Sequence, residues 1–311
     1  MLSLLLFACS SDAPPPPPLD GRSEDEQDLP GAYVHLEDEP EPLLTLEEIG
    51  EGIENALEEM LALDPRELHD VYVDIRDSQD GDCPAYLDYD TEYWYDTCST
   101  SEGASFAGYA NTYRYQDYVN PDNDYFYEDL AYLSADFAIE TASGESLEGT
   151  GYSYYYEGQY PNSSNRFYYS SSWGRFHWEG PGADGSWLSS GRSFDYYLSA
   201  TYYPDYPGHY ISHGGGVSGM EGPVNAYVAD AFILYTETMG SLCELEPSSM
   251  ISVRDEEGSW YEVEFQGPGY WGGWAFEPEC DGCGDVWFRG RYLGQACADF
   301  SALTAWADRP W

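Results

Sequence analysis

The chain has 311 residues, enough for a sizeable core in one or two domains. It carries 58 acids against 11 bases, a net charge of -47, and every base is an arginine. Such a surface repels nucleic acid and anionic lipid head groups, and the lack of lysine removes Schiff-base chemistry and a P-loop.

Met1 to Cys9 (MLSLLLFAC) is too short to cross a bilayer, which takes about 20 apolar residues. It reads as a lipoprotein-type signal segment, residues 1–9, whose lipobox is Leu6-Phe7-Ala8-Cys9; Cys9 is then the lipidated residue. Residues 10–42 read as a disordered tether. Pro14 to Pro18 form a stiff spacer, and the acidic stretch from Leu19 to Pro42 repels itself. Anchor and tether together place the protein in the cell envelope, held to the outer membrane or cell surface by lipid.

The body begins with a helix. Thr45 and Glu48 fit a capping box, and Leu46, Ile49, Ile53, Ala56, Leu57, Met60 and Leu61 line one face. Gly50 and Gly52 weaken it, and Pro65 marks its end or the start of a second short helix. Val71, Val73 and Ile75 alternate as a strand would, and Asp77 to Asp82 read as an acidic turn.

Residues 86–235 hold 26 of the 31 tyrosines. One pattern comes round three times there: an apolar residue and a glycine (Phe106/Gly108, Leu147/Gly149, Leu188/Gly191), then a turn at Pro121, Pro161 or Pro204. Period-two alternation between such turns predicts repeated antiparallel hairpins. A period near 40 also fits propeller blades, but three copies fall short of the usual four. The expected fold is mainly β: a Tyr-rich meander forming an open sheet, sandwich or partial barrel, with one N-terminal helix. Its domains are a body at 43–242 and a Cys-rich hairpin region at 243–311. The most apolar strand, from Val224 to Met239, belongs in the interior of the sheet. Hairpins follow at Ile251–Phe265 and at Val286–Leu293, and a short helix near Ser301–Trp306.

Setting Cys9 aside leaves six cysteines, an even number that suits disulfides in an exported chain. Proximity pairs Cys83 with Cys98 and Cys283 with Cys297, which leaves Cys243 with Cys280. Zinc would need a second close pair beside Cys280-x-x-Cys283, so no metal or other cofactor is expected. His209 and His213 have helical ligand spacing but sit among glycines and a proline, so they read as loop histidines. No nucleophile elbow or metalloprotease motif occurs, and no catalytic residue is nominated. Tyr109, Tyr113 and Tyr115 share one strand face, as do Tyr152, Tyr154 and Tyr156. These six are the candidate ligand-face residues, because aromatic rings stack on sugars and give contact area to proteins; they also hold a thin sheet together as cross-strand pairs.

Cys83-Pro84, Tyr93-Trp94-Tyr95-Asp96-Thr97-Cys98, Gly103-x-Ser105-Phe106-x-Gly108 and the terminal Cys280-Asp281-Gly282-Cys283-Gly284 with Gly290, Gly294, Cys297, Asp299, Leu303 and Trp306 carry a resemblance. With these, most of residues 44–311 resembles a group of uncharacterised acidic, cysteine-bearing lipoproteins of myxobacteria-type Gram-negative bacteria. The resemblance implies export and transfers no active site. The expected function is a non-catalytic surface module, structural or binding glycan or protein. The alternatives are a secreted hydrolase and a calcium-dependent binding module.

Overall fold

The computed structural model describes residues 40–78, 80, 82–88, 93–117, 128–159, 165–183, 188, 191–203, 206–235, 246–267 and 280–308. The expectations for Cys9, the tether, Cys243 and the three proline turns lie outside the described residues. The chain divides into a unit ending at Glu41 and a compact unit Pro42–Trp311, whose architecture follows.

Helix α1 (Leu46–Ala62) opens with the expected capping box: Glu48 N–H donates to Thr45 Oγ1 at 3.2 Å, and Thr45 N–H to Glu48 Oε2 at 2.8 Å. Helix α2 (Pro65–Arg76) follows at once, with Asp64 as N-cap accepting from Arg66 N–H at 2.8 Å and Pro65 in the first turn. The expected strand at Val71, Val73 and Ile75 is therefore helix. Leu68, Tyr72 and Ile75 recur at helical spacing and are buried, and a capped start with proline favours that period over the alternation of three β-branched residues.

Among the described residues, thirteen strands then form one sheet in strict chain order, each antiparallel to its neighbours. They are β1 (Tyr86–Asp88), β2 (Tyr93–Ser99), β3 (Ser105–Asp117), β4 (Glu128–Glu140), β5 (Ser146–Gln159), β6 (Arg166–Glu179) and β7 (Ser193–Tyr203). The series continues with β8 (Tyr206–Ser218), β9 (Val224–Tyr235), β10 (Ser248–Asp255), β11 (Trp260–Gln266), β12 (Cys283–Phe288) and β13 (Arg291–Cys297), and α3 (Ser301–Ala307) follows β13. β1 and β13 are the two edges, so of the three expected forms the sheet takes the open one. The three repeats are the hairpins β3–β4, β5–β6 and β7–β8. β9 pairs with β10, so the C-terminal hairpins continue the same sheet across Cys243.

The three helices of the described residues pack on one face. α1 and α3 share a core with strands β6 to β13 that includes Ile53, Met60, Leu198, Tyr227, Val263, Phe288 and Leu303. α2 shares a second core with β2 to β6 that includes Tyr72, Trp94, Phe106, Phe137 and Leu147. Burial alternates along β4: Asp129, Ala131, Leu133, Ala135, Phe137 and Ile139 face the helices, and the residues between them do not. Gly50 and Gly52 sit where α1 touches the sheet, since a Cβ on either would overlap the Cys297 carbonyl or the Val224 side chain. Their weak helix propensity is the cost of close approach. Disulfides join Cys83 to Cys98 and Cys283 to Cys297, as proximity suggested. Cys280 is disulfide-bonded as well.

Candidate functional site

The face turned away from the helices is aromatic over β3 to β6. Strand register sets which rings meet. Tyr113, Tyr132 and Tyr154 are direct cross-strand partners on three consecutive strands. The Tyr154 ring then meets Tyr169 on β6 at 5.7 Å between centroids, and Tyr132 meets Tyr154 at 6.4 Å. On one side of this row Tyr156, Phe167 and Tyr169 follow each other at 6.1 and 6.3 Å, and Tyr115 stacks beside Tyr113 at 6.3 Å. On the other side Tyr152 stacks on Trp173 at 6.5 Å, and Tyr109 pairs in register with Tyr95 of β2. All six candidate tyrosines thus lie on this face, on two strands separated by β4.

The rings stay open to solvent in part. Tyr95 is 68% exposed, Trp173 50%, and Tyr113 and Tyr152 39% each. Burial, followed by the neighbouring Tyr169, raises the phenols of Tyr152 and Tyr154 above their ordinary range. Both hydroxyls are protonated at neutral pH and can donate. Tyr156 already donates to Glu128 Oε1 at 3.0 Å. Asn111, Ser134 and Thr150 share the face with the rings, and its exposed charges include Asp136, Glu148, Asp195 and Arg175. Period-two alternation exposed the parity of the six tyrosines. Tyr132, Phe167, Tyr169 and Trp173 were missed because membership depends on register between strands, which residue spacing leaves open.

A second cluster lies on the helix side. Asp129 and Glu157 are buried on β4 and β5, and Arg66 at the start of α2 reaches both, at 3.8 and 3.9 Å. Arg66 also pairs with its cap Asp64 at 2.7 Å and lies 4.3 Å above the Tyr155 ring. Arg114 pairs with Asp129, and Tyr155 donates to Glu157 at 2.5 Å. Here two core-facing acids are held by two arginines, an arrangement that fixes α2 on the sheet rather than leaving a free acid and base. The signal was available, because Asp129 has the parity of Leu133 and Phe137.

His209 and His213 are on strand β8, not in a loop, and both face the helices. The glycines forbid a helix there but not an extended strand. His209 Nδ1 lies 3.0 Å from Asp308 Oδ1, and His213 Nδ1 lies 2.9 Å from the Tyr197 carbonyl. Burial lowers the His213 pKa to about 4, so the ring is neutral. A hollow of about 280 Å³ between α1 and β13 is lined by Leu46, Glu47, Glu51, Glu54, Gln295 and Cys297. Among the described residues no group of three or more His, Cys, Asp or Glu is placed to hold a metal ion.

Fold and face define a class: a single open antiparallel sheet with one helix-covered face and one aromatic face. Comparison with protein-family models, curated proteins and solved structures finds no match for the chain.

Proposed function

We propose that this protein is a non-catalytic envelope lipoprotein, anchored through Cys9, whose aromatic face binds a ligand outside the cytoplasm. The observation that carries the binding role is the set of rings across β3 to β6, joined by register between Tyr113 and Tyr132 and by ring contacts from β4 to β6, on the face away from the described helices. Stacked cross-strand pairs stabilise a sheet, but that alone does not call for an exposed Tyr152–Trp173 pair and an exposed Tyr113 on the same face. The disulfides support an oxidising compartment. The charge of -47 keeps such a surface soluble and turns away nucleic acid. Likeness to the acidic, cysteine-bearing lipoproteins fits the same address.

Envelope fragments test the face whatever its ligand. The full chain and a variant carrying Tyr113→Ala, Tyr132→Ala, Tyr154→Ala and Trp173→Ala are incubated with cell-wall and outer-membrane fractions. Retention of the parent and loss of the variant is the expected result; equal retention of both removes the face from the function. Palmitate labelling tests the anchor, and a Cys9→Ser variant that still takes up label refutes it.

A further inference from the structure

The aromatic face has a direction. Its main row, Tyr113, Tyr132, Tyr154 and Tyr169, runs across the strands rather than along them. Ring centroids along the row lie 6.4 Å (Tyr132 to Tyr154) and 5.7 Å (Tyr154 to Tyr169) apart, each pair meeting edge to face, so each strand offers one rung at about the length of one sugar in an extended β-linked chain. Rings two residues apart on one strand, such as Tyr113 and Tyr115, widen the row sideways.

The chemistry of the row is mixed. Ring faces suit the apolar C–H face of a pyranose, and the protonated phenols with Asn111, Ser134 and Thr150 suit its hydroxyls. Tyrosine is common at protein interfaces too, but Ser134, Asp136, Glu148 and Asp195 among the rings are of the types depleted at an interface core. Asp136, Glu148 and Asp195 near the row outnumber Arg175, which disfavours an anionic polymer.

We infer that the ligand of this face is an uncharged, extended β-linked glycan lying across β3 to β6, with one sugar over each rung. The inference rests on the binding role proposed above and specifies its ligand. Rungs that act together make affinity depend on ligand length: it climbs until the four strands are covered and then levels off.

The test titrates the full-length protein with β-linked glucose and N-acetylglucosamine oligomers from disaccharide to hexasaccharide, following tryptophan fluorescence and calorimetric heat. Affinity is expected to rise up to the tetrasaccharide and flatten beyond it, with hyaluronan failing to bind. Tyr154→Ala is expected to weaken the tetrasaccharide by about ten-fold, because a stacked ring and its buried area are lost. Tyr154→Phe retains most of the affinity. Trp260→Ala, at an exposed position of β11 away from the row, leaves it unchanged. If Tyr154→Ala does not fold, the exposed Trp173→Ala takes its place. Affinity that ignores length, or an equal loss in Trp260→Ala, overturns the inference. So does failure of every neutral oligomer. In that last case the envelope assay still decides the wider reading: loss of retention in the four-fold variant keeps the binding face and removes only the glycan.

Discussion

Gly50 of α1 lies directly against the backbone carbonyl of Cys297 on edge strand β13, with no room for a methyl group between them. Alanine is the better helix former by about 1 kcal/mol, so an isolated α1 would gain from Gly50→Ala. In the folded protein the overlap dominates, because the neighbour is backbone and cannot rotate away. Gly50→Ala is expected to lower unfolding free energy by about 1–3 kcal/mol in a denaturant titration, whereas exposed Glu51→Ala stays within about 0.5 kcal/mol. A stabilised Gly50→Ala protein would show that α1 does not pack this way.

His213 makes stability depend on pH in a stated direction. Its folded pKa is depressed to about 4 by burial, below the ordinary histidine value of about 6.5. The unfolded chain therefore takes up the proton first, and the contribution is full above pH 6.5 and lost as pH falls toward 4. Burial also lowers His69 and His209, which act the same way. Neutralising the many carboxylates changes the background, so the informative quantity is a difference. Relative to His213→Asn, which keeps a donor near Tyr197 O, the parent should lose on the order of 3 kcal/mol between pH 7 and pH 4. Identical pH slopes for the two proteins would remove His213 as the cause.

Arg66 holds two buried carboxylates and a ring. Arg66→Met keeps the length of the side chain but leaves Asp129 and Glu157 with less compensation. A loss of about 1–3 kcal/mol is expected at neutral pH, because Asp129 keeps Arg114 and Glu157 keeps the Tyr155 hydroxyl while both lose a neighbouring cation. Replacing Asp129 with Asn in the same background should recover part of it. Additive losses in the double variant would argue that the pair does not interact.

Cys83 and Cys98 close a 15-residue separation at the β2 end of the sheet, over the core of Tyr72 and Trp94. Replacing both by Ala should cost about 3 kcal/mol, mainly by freeing the unfolded chain. Alkylation with intact-mass measurement before reduction provides an independent check: none of Cys83, Cys98, Cys280, Cys283 and Cys297 should take label.

Charge makes a prediction about salt. Raising ionic strength from about 0.01 M to 0.15 M shortens the Debye length from roughly 30 Å to 8 Å and should raise the melting temperature by screening carboxylate repulsion. Calcium and sodium chlorides at equal ionic strength separate screening from binding. A larger shift with calcium alone would favour the calcium-dependent module.

Much of this was written locally. Thr45 with Glu48, the turn at Gly258, the turn at Gly290 and the two close cysteine pairs each act over a few residues, so local sequence was enough to read them. Period-two alternation likewise placed Tyr113 and Tyr154 on strand faces. Where two periods fitted the same residues, at Val71 to Ile75, the helix prevailed through its cap and its buried stripe.

The sequence by itself determined the hairpins, the acidity and the parity of the tyrosines, because each depends on bonds or spacings within one short segment. Only the tertiary structure decided that the thirteen described strands join one open sheet, which face the helices cover, and that Tyr113, Tyr132 and Tyr154 align. Those outcomes depend on register and on backbone contacts between residues far apart in the chain, such as Gly50 with Cys297.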